Sequence, residues 1–274
     1  NRRDHRKLLI VDDTAGYFGG MNIVENSELT PAEAKEILPM SAGWRDVHVR
    51  LAGPQLPDIA DSFDRSWRRA RGEKIRRRPR AYSRGRVETV GTQESIRFFD
   101  SGPGQRFSRA ARVFTGLINS ARHSITISMA YFIPTGRVLR ALEKARRDGI
   151  RMRVIVPGKS DVPLVQYATG YLYSKMVKHG VRIYEREERM LHSKVVVVDQ
   201  YWTVVGSANL DPRSLWINLE FLAVIRSERL ACIMLEICRY EMAHSRLIRR
   251  ADLQKTTLWH RFRNTLAWGS RWLL

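Results

Sequence analysis

The sequence holds only two cysteines, Cys232 and Cys238, six residues apart on a segment that reads as a helix. Residues at that spacing do not share a helical face. There is no C-x-x-C pair and no Cys/His grouping with zinc spacing, which excludes a disulfide scaffold and fits a reducing compartment. Long hydrophobic runs are also missing. The unbroken apolar stretches are short, such as Val195–Val198, and none exceeds six residues, against the ~18 or more that a membrane-spanning helix needs. Acidic residues are outnumbered, with Asp+Glu 28 against Lys+Arg 48, a net charge of +20. That balance favours a polyanionic partner, whether nucleic acid, an anionic membrane or a phosphorylated substrate. Apolar content is not lacking. At 43% hydrophobic, the chain has enough to build a core and is not a disordered tail. Its 274 residues accommodate one large domain or two of ordinary size.

What the sequence does contain is a repeat. Near the start it reads His5-Arg6-Lys7, four apolar residues and Asp12, followed by Gly19-Gly20-Met21-Asn22. Near residue 192 it reads His192-Ser193-Lys194, four valines and Asp199, followed by Gly206-Ser207-Ala208-Asn209. Every matched pair is separated by 187 positions: His5 and His192, Lys7 and Lys194, Asp12 and Asp199, Gly19 and Gly206, Asn22 and Asn209. A single H-x-K-x4-D is weak evidence, because each copy is also an ordinary buried strand ended by polar residues. Two copies in one register, each with the same glycine and asparagine behind it, are strong evidence.

The spacing has a chemical meaning. On a strand, residues i and i+2 point to the same face, so His5 projects with Lys7 and His192 with Lys194. If the half-sites meet about a pseudo-two-fold axis, two imidazoles and two ammonium groups converge. Such a cluster repels itself unless an anion sits among its members. A phosphate or phosphodiester is the natural occupant.

With the doubled H-x-K-x4-D motif, the sequence resembles the phospholipase D superfamily. It is most similar to bacterial cardiolipin synthases in the phrase Gly206-Ser-Ala-Asn-Leu-Asp-Pro-Arg-Ser-Leu-Trp-Ile-Asn-Leu-Glu220, in Gly19-Gly20-Met21-Asn22 and in Ala130-Tyr131-Phe132-Ile133-Pro134. The resemblance implies an α/β protein with a phospholipase D-like fold: mixed sheets flanked by helices, in two pseudo-symmetric repeats. It implies that one histidine attacks phosphorus and the other protonates the leaving alcohol, with His5 the expected nucleophile and His192 the expected acid. Lys7 and Lys194, with Asn22, Asn209 and the Ser207 hydroxyl, would hold the phosphate oxygens. At the position matching Ser207 the first copy has Gly20, which offers only a backbone N–H. Asp12 and Asp199 belong to the signature but stand at the strand end, where they are expected to organise a turn and pair with a cation. Asp4 and Asp13 read as surface charges.

Each imidazole needs a partner on its second nitrogen. Asp46 and Glu220, each shortly downstream of its own motif and entering a strand, are the candidates. Tyr131 and Phe132 lie at a strand end, either facing the site or packed in the core. No metal and no cofactor is called for, since lysines and histidines supply the positive charge. The implied substrate is an anionic phospholipid, phosphatidylglycerol, at a membrane surface. The expected place is peripheral, on the cytoplasmic side of a bacterial cell membrane. Nucleic acid, which the same chemistry would also cleave, is the less favoured partner because no platform of spaced exposed aromatics is evident.

Four segments are expected. Residues 1–70 form the C-terminal remnant of a first repeat, with a motif strand, an Ala/Glu-containing stretch at 31–38, a strand Asp46–Leu51 and a helix Asp58–Ala70 after Pro54 and Pro57. Residues 71–95 are an arginine-rich connector, residues 96–250 a complete second repeat, and residues 251–274 an amphipathic Trp/Arg tail. In the second repeat the pattern predicts helices Val113–Ala121, Val138–Asp148 and Val165–His179 alternating with strands Ser124–Tyr131, Met152–Val156 and Val181–Tyr184. The first copy has no such run before His5, so about 90 residues of its repeat are expected to be missing. In the tail, Leu258, Trp259, Phe262 and Leu266 fall on one helical face, with Arg261 and Arg263 turned away. The segment is either an interfacial helix or one packed on the core.

Overall fold

A computed structural model of the chain describes residues 3–22, 43–73, 94–102 and 108–273. The stretch at 31–38 and most of the basic connector lie outside the described residues.

The first motif opens a small antiparallel sheet of β1 (Leu8–Val11), β2 (Ala15–Gly19) and β3 (His48–Leu51), followed by helix α1 (Leu56–Ala70). The remainder builds an eight-stranded sheet from β4 (Ser95–Ser101), β5 (Ser124–Met129), β6 (Arg151–Pro157), β7 (Arg182–Arg186), β8 (Lys194–Val198), β9 (Trp202–Gly206), β10 (Glu220–Arg226) and β11 (Ser245–Leu247). Its spatial order is β11-β7-β6-β5-β8-β9-β10-β4. Strands β5, β6 and β7 are parallel, joined by crossover helices α3 (Gly136–Arg147) and α4 (Pro163–Lys178). The other pairs are antiparallel. This is the mixed α/β architecture the pattern predicts. Helix α2 (Arg109–Ser120) starts earlier than expected, because the Ser108 hydroxyl caps it by accepting from Ala111 N–H. Helix α1 also starts early: Pro57 sits inside its first turn, where proline's missing N–H costs nothing, and does not mark the preceding loop.

The unbroken valine run of β8 follows from its position, with both faces of the strand covered. Val196 and Val198 face a core shared with α2, α3 and α4. Val195 and Val197 face a second core with Phe18 of β2, Val47, Leu56 and Ile59 of α1, Phe221 of β10, and Ala231 and Met234 of α6 (Glu228–Ala243). The small sheet therefore rests on one face of the large one. Phe18 is its anchor, fully buried and edge-on to Phe98 at 5.4 Å and Phe221 at 5.8 Å. On the other side of β1, Leu9 and Val11 are 49% and 40% exposed. Their counterparts Val196 and Val198 are covered by helices. Among the described residues no such layer lies over β1.

The tail forms α7 (Arg250–Gln254), α8 (Leu258–Gly269) and a 3-10 turn, Arg271–Leu273. Of the two expectations, packing on the core is what the structure displays, and it involves one face only. One face of α8 packs on α4, where Trp268 stacks on Tyr171 at 5.1 Å and Ala267 is buried. The Leu258/Trp259/Phe262/Leu266 face remains exposed. Arg263 is not turned away, since its guanidinium lies 3.8 Å over the ring of Tyr167.

Phe18→Ala removes the ring that joins the sheets. It is expected to lower stability by about 3–5 kcal/mol, measured by urea denaturation. A loss below about 1 kcal/mol would mean that the two sheets do not share a core.

Candidate active site

Each motif strand ends in the same hairpin. Asp12 and Asp13 have φ of 48° and 50°, Asp199 and Gln200 of 52° and 62°. Thr14 N–H donates to Val11 O and Tyr201 N–H to Val198 O. Two consecutive positive φ values define the tight turn that suits a twisted hairpin, and aspartate tolerates them better than most residues. The signature aspartates thus sit about 17 Å along the strand from the lysines, five residues at ~3.3 Å each. Among the described residues Asp199 forms no Lys or Arg ion pair, where a pairing cation was expected. Its carboxylate accepts from the N–H groups of Arg122, His123 and Ser124 at 2.6–2.8 Å, tying the loop before β5 to the hairpin. Burial would raise this carboxyl, but the three donors hold it below its ordinary range.

At the other end the two halves are stitched crosswise. His5 N–H donates to Leu219 O, and Leu219 N–H donates to Arg3 O. In the same way Arg45 N–H donates to Met190 O, and His192 N–H donates to Arg45 O. Each short parallel bridge sets a motif histidine beside the carboxylate of the opposite copy. His5 Nδ1 lies 3.1 Å from both carboxylate oxygens of Glu220, and His192 Nδ1 lies 2.6 Å from Asp46 Oδ2. Asp46 and Glu220 do lie against the motif histidines, each against that of the other repeat. A carboxylate at Nδ1 requires the proton there and leaves Nε2 free toward the site.

The glycines after each motif make this approach possible. A Cβ on Gly206 would collide with Phe221 O, and one on Gly19 with Val47 O. A Cβ on Gly20 would collide with the Asp46 carboxylate. In the second copy the same position is Ser207, whose hydroxyl donates to Glu220 and accepts from Phe221 N–H at 3.0 Å. In this structure, then, Ser207 braces a carboxylate and does not point a free donor at the site. The Gly20 N–H is also taken, donating to Val47 O at 3.0 Å.

Both lysines fold back on their own histidines. Lys7 Nζ donates to His5 O at 2.8 Å. Lys194 Nζ donates to His192 O and stands 3.0 Å from His192 Nδ1. Burial lowers the pKa of Lys194 to about 8, with Asp46 opposing the shift and Lys7 adding to it. Burial likewise lowers Lys7, against Glu220 and Asp46. Each lysine feels the carboxylates of both copies, so the half-sites do converge. His192 is lowered by burial and then by Lys194, with Asp46 resisting. That direction favours its neutral form.

Other expected residues fall less uniformly. Asn209 is buried, with Oδ1 3.4 Å from Tyr131 N, while Asn22 is half-exposed after β2. Tyr131 gives its hydroxyl to Asp161 at 2.8 Å. Phe132 does not line a substrate path, being 1% exposed within the main core. Asp4 is more than a surface charge. It pairs with Arg6 at 2.8 Å and bridges to Leu219. Sequence reasoning missed four contributors. Trp44 packs 4.8 Å from the His192 ring. Asn218 donates to Glu220 at 3.5 Å. Asp211, raised to about 6 mainly by burial, caps α5 (Pro212–Trp216) within electrostatic reach of His5 and Glu220. Glu241, 2% exposed, holds Arg45 at 2.8 Å and Arg186 at 3.0 Å behind Asp46. Trp44 and Asn218 were findable, each standing two residues before a carboxylate already singled out.

Residues 114–239 match the family described as cardiolipin synthase, PLD-like domain. Among curated proteins, the chain is 29% identical to a cardiolipin synthase of Halalkalibacterium halodurans over 95% of its length and 50% of that protein's. It is 32% identical to cardiolipin synthase A of Serratia proteamaculans over 94% and 52%, and 33% identical to cardiolipin synthase B of Escherichia coli over 82% and 52%. The chain thus spans about half the length of the curated relatives it matches. Among solved structures, a phosphatidylserine synthase of Haemophilus influenzae covers 99% of this chain and 71% of its own, with a TM-score of 0.71 at 14% identity. At that identity the match speaks for the fold.

A site built this way should bind inorganic phosphate. Saturating phosphate is expected to raise the melting temperature, since about 2.7 kcal/mol accrues at a hundred-fold excess over Kd. Lys194→Met should abolish the shift. The protonated lysine is the binding form and its pKa lies near 8, so the shift should shrink as pH rises through about 8. A shift unaffected by Lys194→Met would place the anion elsewhere.

Proposed function

From a chain that carries a phospholipase D-like domain and resembles bacterial cardiolipin synthases along most of its length, we propose a phosphatidyltransferase that joins two phosphatidylglycerols and releases glycerol. The observation that carries this reading is the pair of histidines, each set against a carboxylate from the opposite repeat, flanking the buried Lys194 and the half-buried Lys7.

The roles follow from the two environments. A nucleophilic imidazole must be neutral and an acid must be protonated. His192, buried and set beside Lys194, favours the neutral form. His5, with Glu220 at its Nδ1, is the partner that serves as the acid. This assignment reverses the order taken from resemblance. His192 Nε2 attacks phosphorus, the bond from phosphorus to the glycerol oxygen breaks, and His5 protonates that oxygen as it leaves. The second phosphatidylglycerol then gives its hydroxyl proton to His5 and attacks phosphorus. The phosphorus–nitrogen bond breaks, and cardiolipin and free His192 result. Lys7 and Lys194 balance negative charge on the non-bridging oxygens as it grows in each transition state. The substrate is taken at a membrane surface, with the chain peripheral on the cytoplasmic side of a bacterial cell membrane.

Purified protein is to be incubated with phosphatidylglycerol vesicles and the products followed by mass spectrometry. Cardiolipin and free glycerol are expected, with His5→Ala and His192→Ala each losing at least about 10³-fold in rate. Acid-quenched digests should carry the phosphatidyl group on the His192 peptide. The group on His5 instead would overturn the assignment of roles. Phosphatidic acid as sole product would mean hydrolysis. Cleavage of DNA with lipid untouched would replace the lipid reading by a nuclease.

Asp46→Asn and Glu220→Gln separate the half-sites. Each should lower kcat by about 10²–10⁴. Asp46→Asn should shift the basic-form pKa of the pH–rate profile downward, because Asp46 opposes the lowering at His192. An unchanged profile would show that Asp46 does not act through the imidazole.

A further inference from the structure

Helix α8 is held to the body by one face. Ala267 is buried, Trp268 stacks on Tyr171, and Arg263 covers Tyr167. Gly170 of α4 provides the seat, because a Cβ there would lie 2.7 Å from Asn264 Nδ2. At 3.6 residues per turn, the opposite face carries Leu258, Phe262 and Leu266, with Trp259 at its border. These side chains are 82%, 54%, 57% and 66% exposed. The turn beyond adds Trp272 at 55% and Leu273 at 80%. Six of the fourteen exposed large hydrophobics among the described residues fall within these sixteen positions, so this is a patch and not scattered surface. A patch of that kind marks an interaction site.

Charge identifies the partner. From Leu253 to the end of the chain there is no aspartate or glutamate, while Lys255, Arg261, Arg263 and Arg271 are present. On the helix, Arg261 borders the apolar face on one side, while Arg263, on the other, is turned onto Tyr167. Apolar side chains bordered by cations, with tryptophans at the margin, match the boundary of an anionic bilayer. There aliphatic and phenyl groups enter the acyl region, indoles sit at headgroup level and arginines meet phosphate. Nucleic acid would leave Leu258, Leu266 and Leu273 in water.

We propose that the outer face of α8, with the turn Arg271–Leu273, is the surface by which this chain lies on an anionic membrane. It rests on the proposed phosphatidyl transfer only in that such an enzyme meets its substrate at a bilayer.

The test is flotation of the protein with vesicles of mixed phosphatidylcholine and phosphatidylglycerol, and with phosphatidylcholine alone. Binding is expected to the mixed vesicles and to weaken with salt. Trp259→Ser/Phe262→Ser/Leu266→Ser should lower vesicle affinity by at least about ten-fold while leaving circular dichroism and the phosphate-dependent melting shift unchanged. Trp259 fluorescence should move to shorter wavelength on binding. Undiminished flotation of the triple variant would overturn the proposal. So would a wild type that ignores vesicles but self-associates through this face, with the variant monomeric. Vesicle binding through α8 without cardiolipin formation would uphold the surface and sink the transferase.

Discussion

The geometry of the candidate site depends on a crosswise exchange: each motif histidine lies against a carboxylate from the other repeat. Neither half can build a finished site alone. The exchange is fixed by backbone before any side chain acts, through the parallel bridges at Asp4/Leu219 and Arg45/Leu191. The glycines at 19 and 206 and the apolar core centred on Phe18 have one purpose in common. They let the carboxylate-bearing segments lie close against the motif hairpins, where a Cβ would intrude. Removing one member therefore has non-local consequences. Asp46 without Arg45 and Glu241 behind it would lose its support, although Glu241 lies on a helix far along the chain.

The price of such a site is burial of charge. Lys194, Glu220 and His192 are almost wholly shielded from water, and taking such groups out of water is costly unless each is paired. The pairing here is complete enough to fold but not enough to leave the lysines at ease, and Lys194 falls to about 8. A bound phosphodiester would supply the missing negative charge and relieve this. Under the proposed reaction, binding energy and charge burial are then two aspects of one arrangement, because the cost of gathering buried cations is offset by the charge of the phosphodiester.

Much of this was legible in the sequence. The register of 187 residues located both half-sites, and the i, i+2 spacing of histidine and lysine gave their common direction. The alternation of helix and strand through residues 109–198 was readable because apolar periodicity reflects which faces are covered. Asp46 and Glu220 were found as residues that enter strands, but their crossing was not. Pairing between segments 146 and 215 residues apart is decided by packing of the whole and leaves no local trace. Ser207 misled for a related reason. A hydroxyl beside a site reads as a ligand donor, while its role here is set by Glu220, thirteen residues on. Phe132 shows the same limit, since an aromatic at a strand end can face inward or outward, and the core claimed it.

Pseudo-symmetry poses a problem that the chemistry must solve. Two identical half-sites would hold two identical imidazoles, yet the proposed reaction needs one neutral and one charged at the same moment. The departures from symmetry lie where that difference is made. Lys194 reaches the ring nitrogen of its histidine, while the contact seen for Lys7 is with the carbonyl of its own. Asp211 follows the second glycine–asparagine phrase and lies within electrostatic reach of His5, while the matching position of the first copy is Val24. Ser207 braces Glu220 where Gly20 merely makes room for Asp46. Each difference is a single side chain on a shared backbone plan. Together they give the two imidazoles different surroundings, and at His192 burial and Lys194 oppose positive charge. A duplicated binding site thereby becomes one with a direction, in which phosphorus is approached from one side and the alcohol leaves from the other.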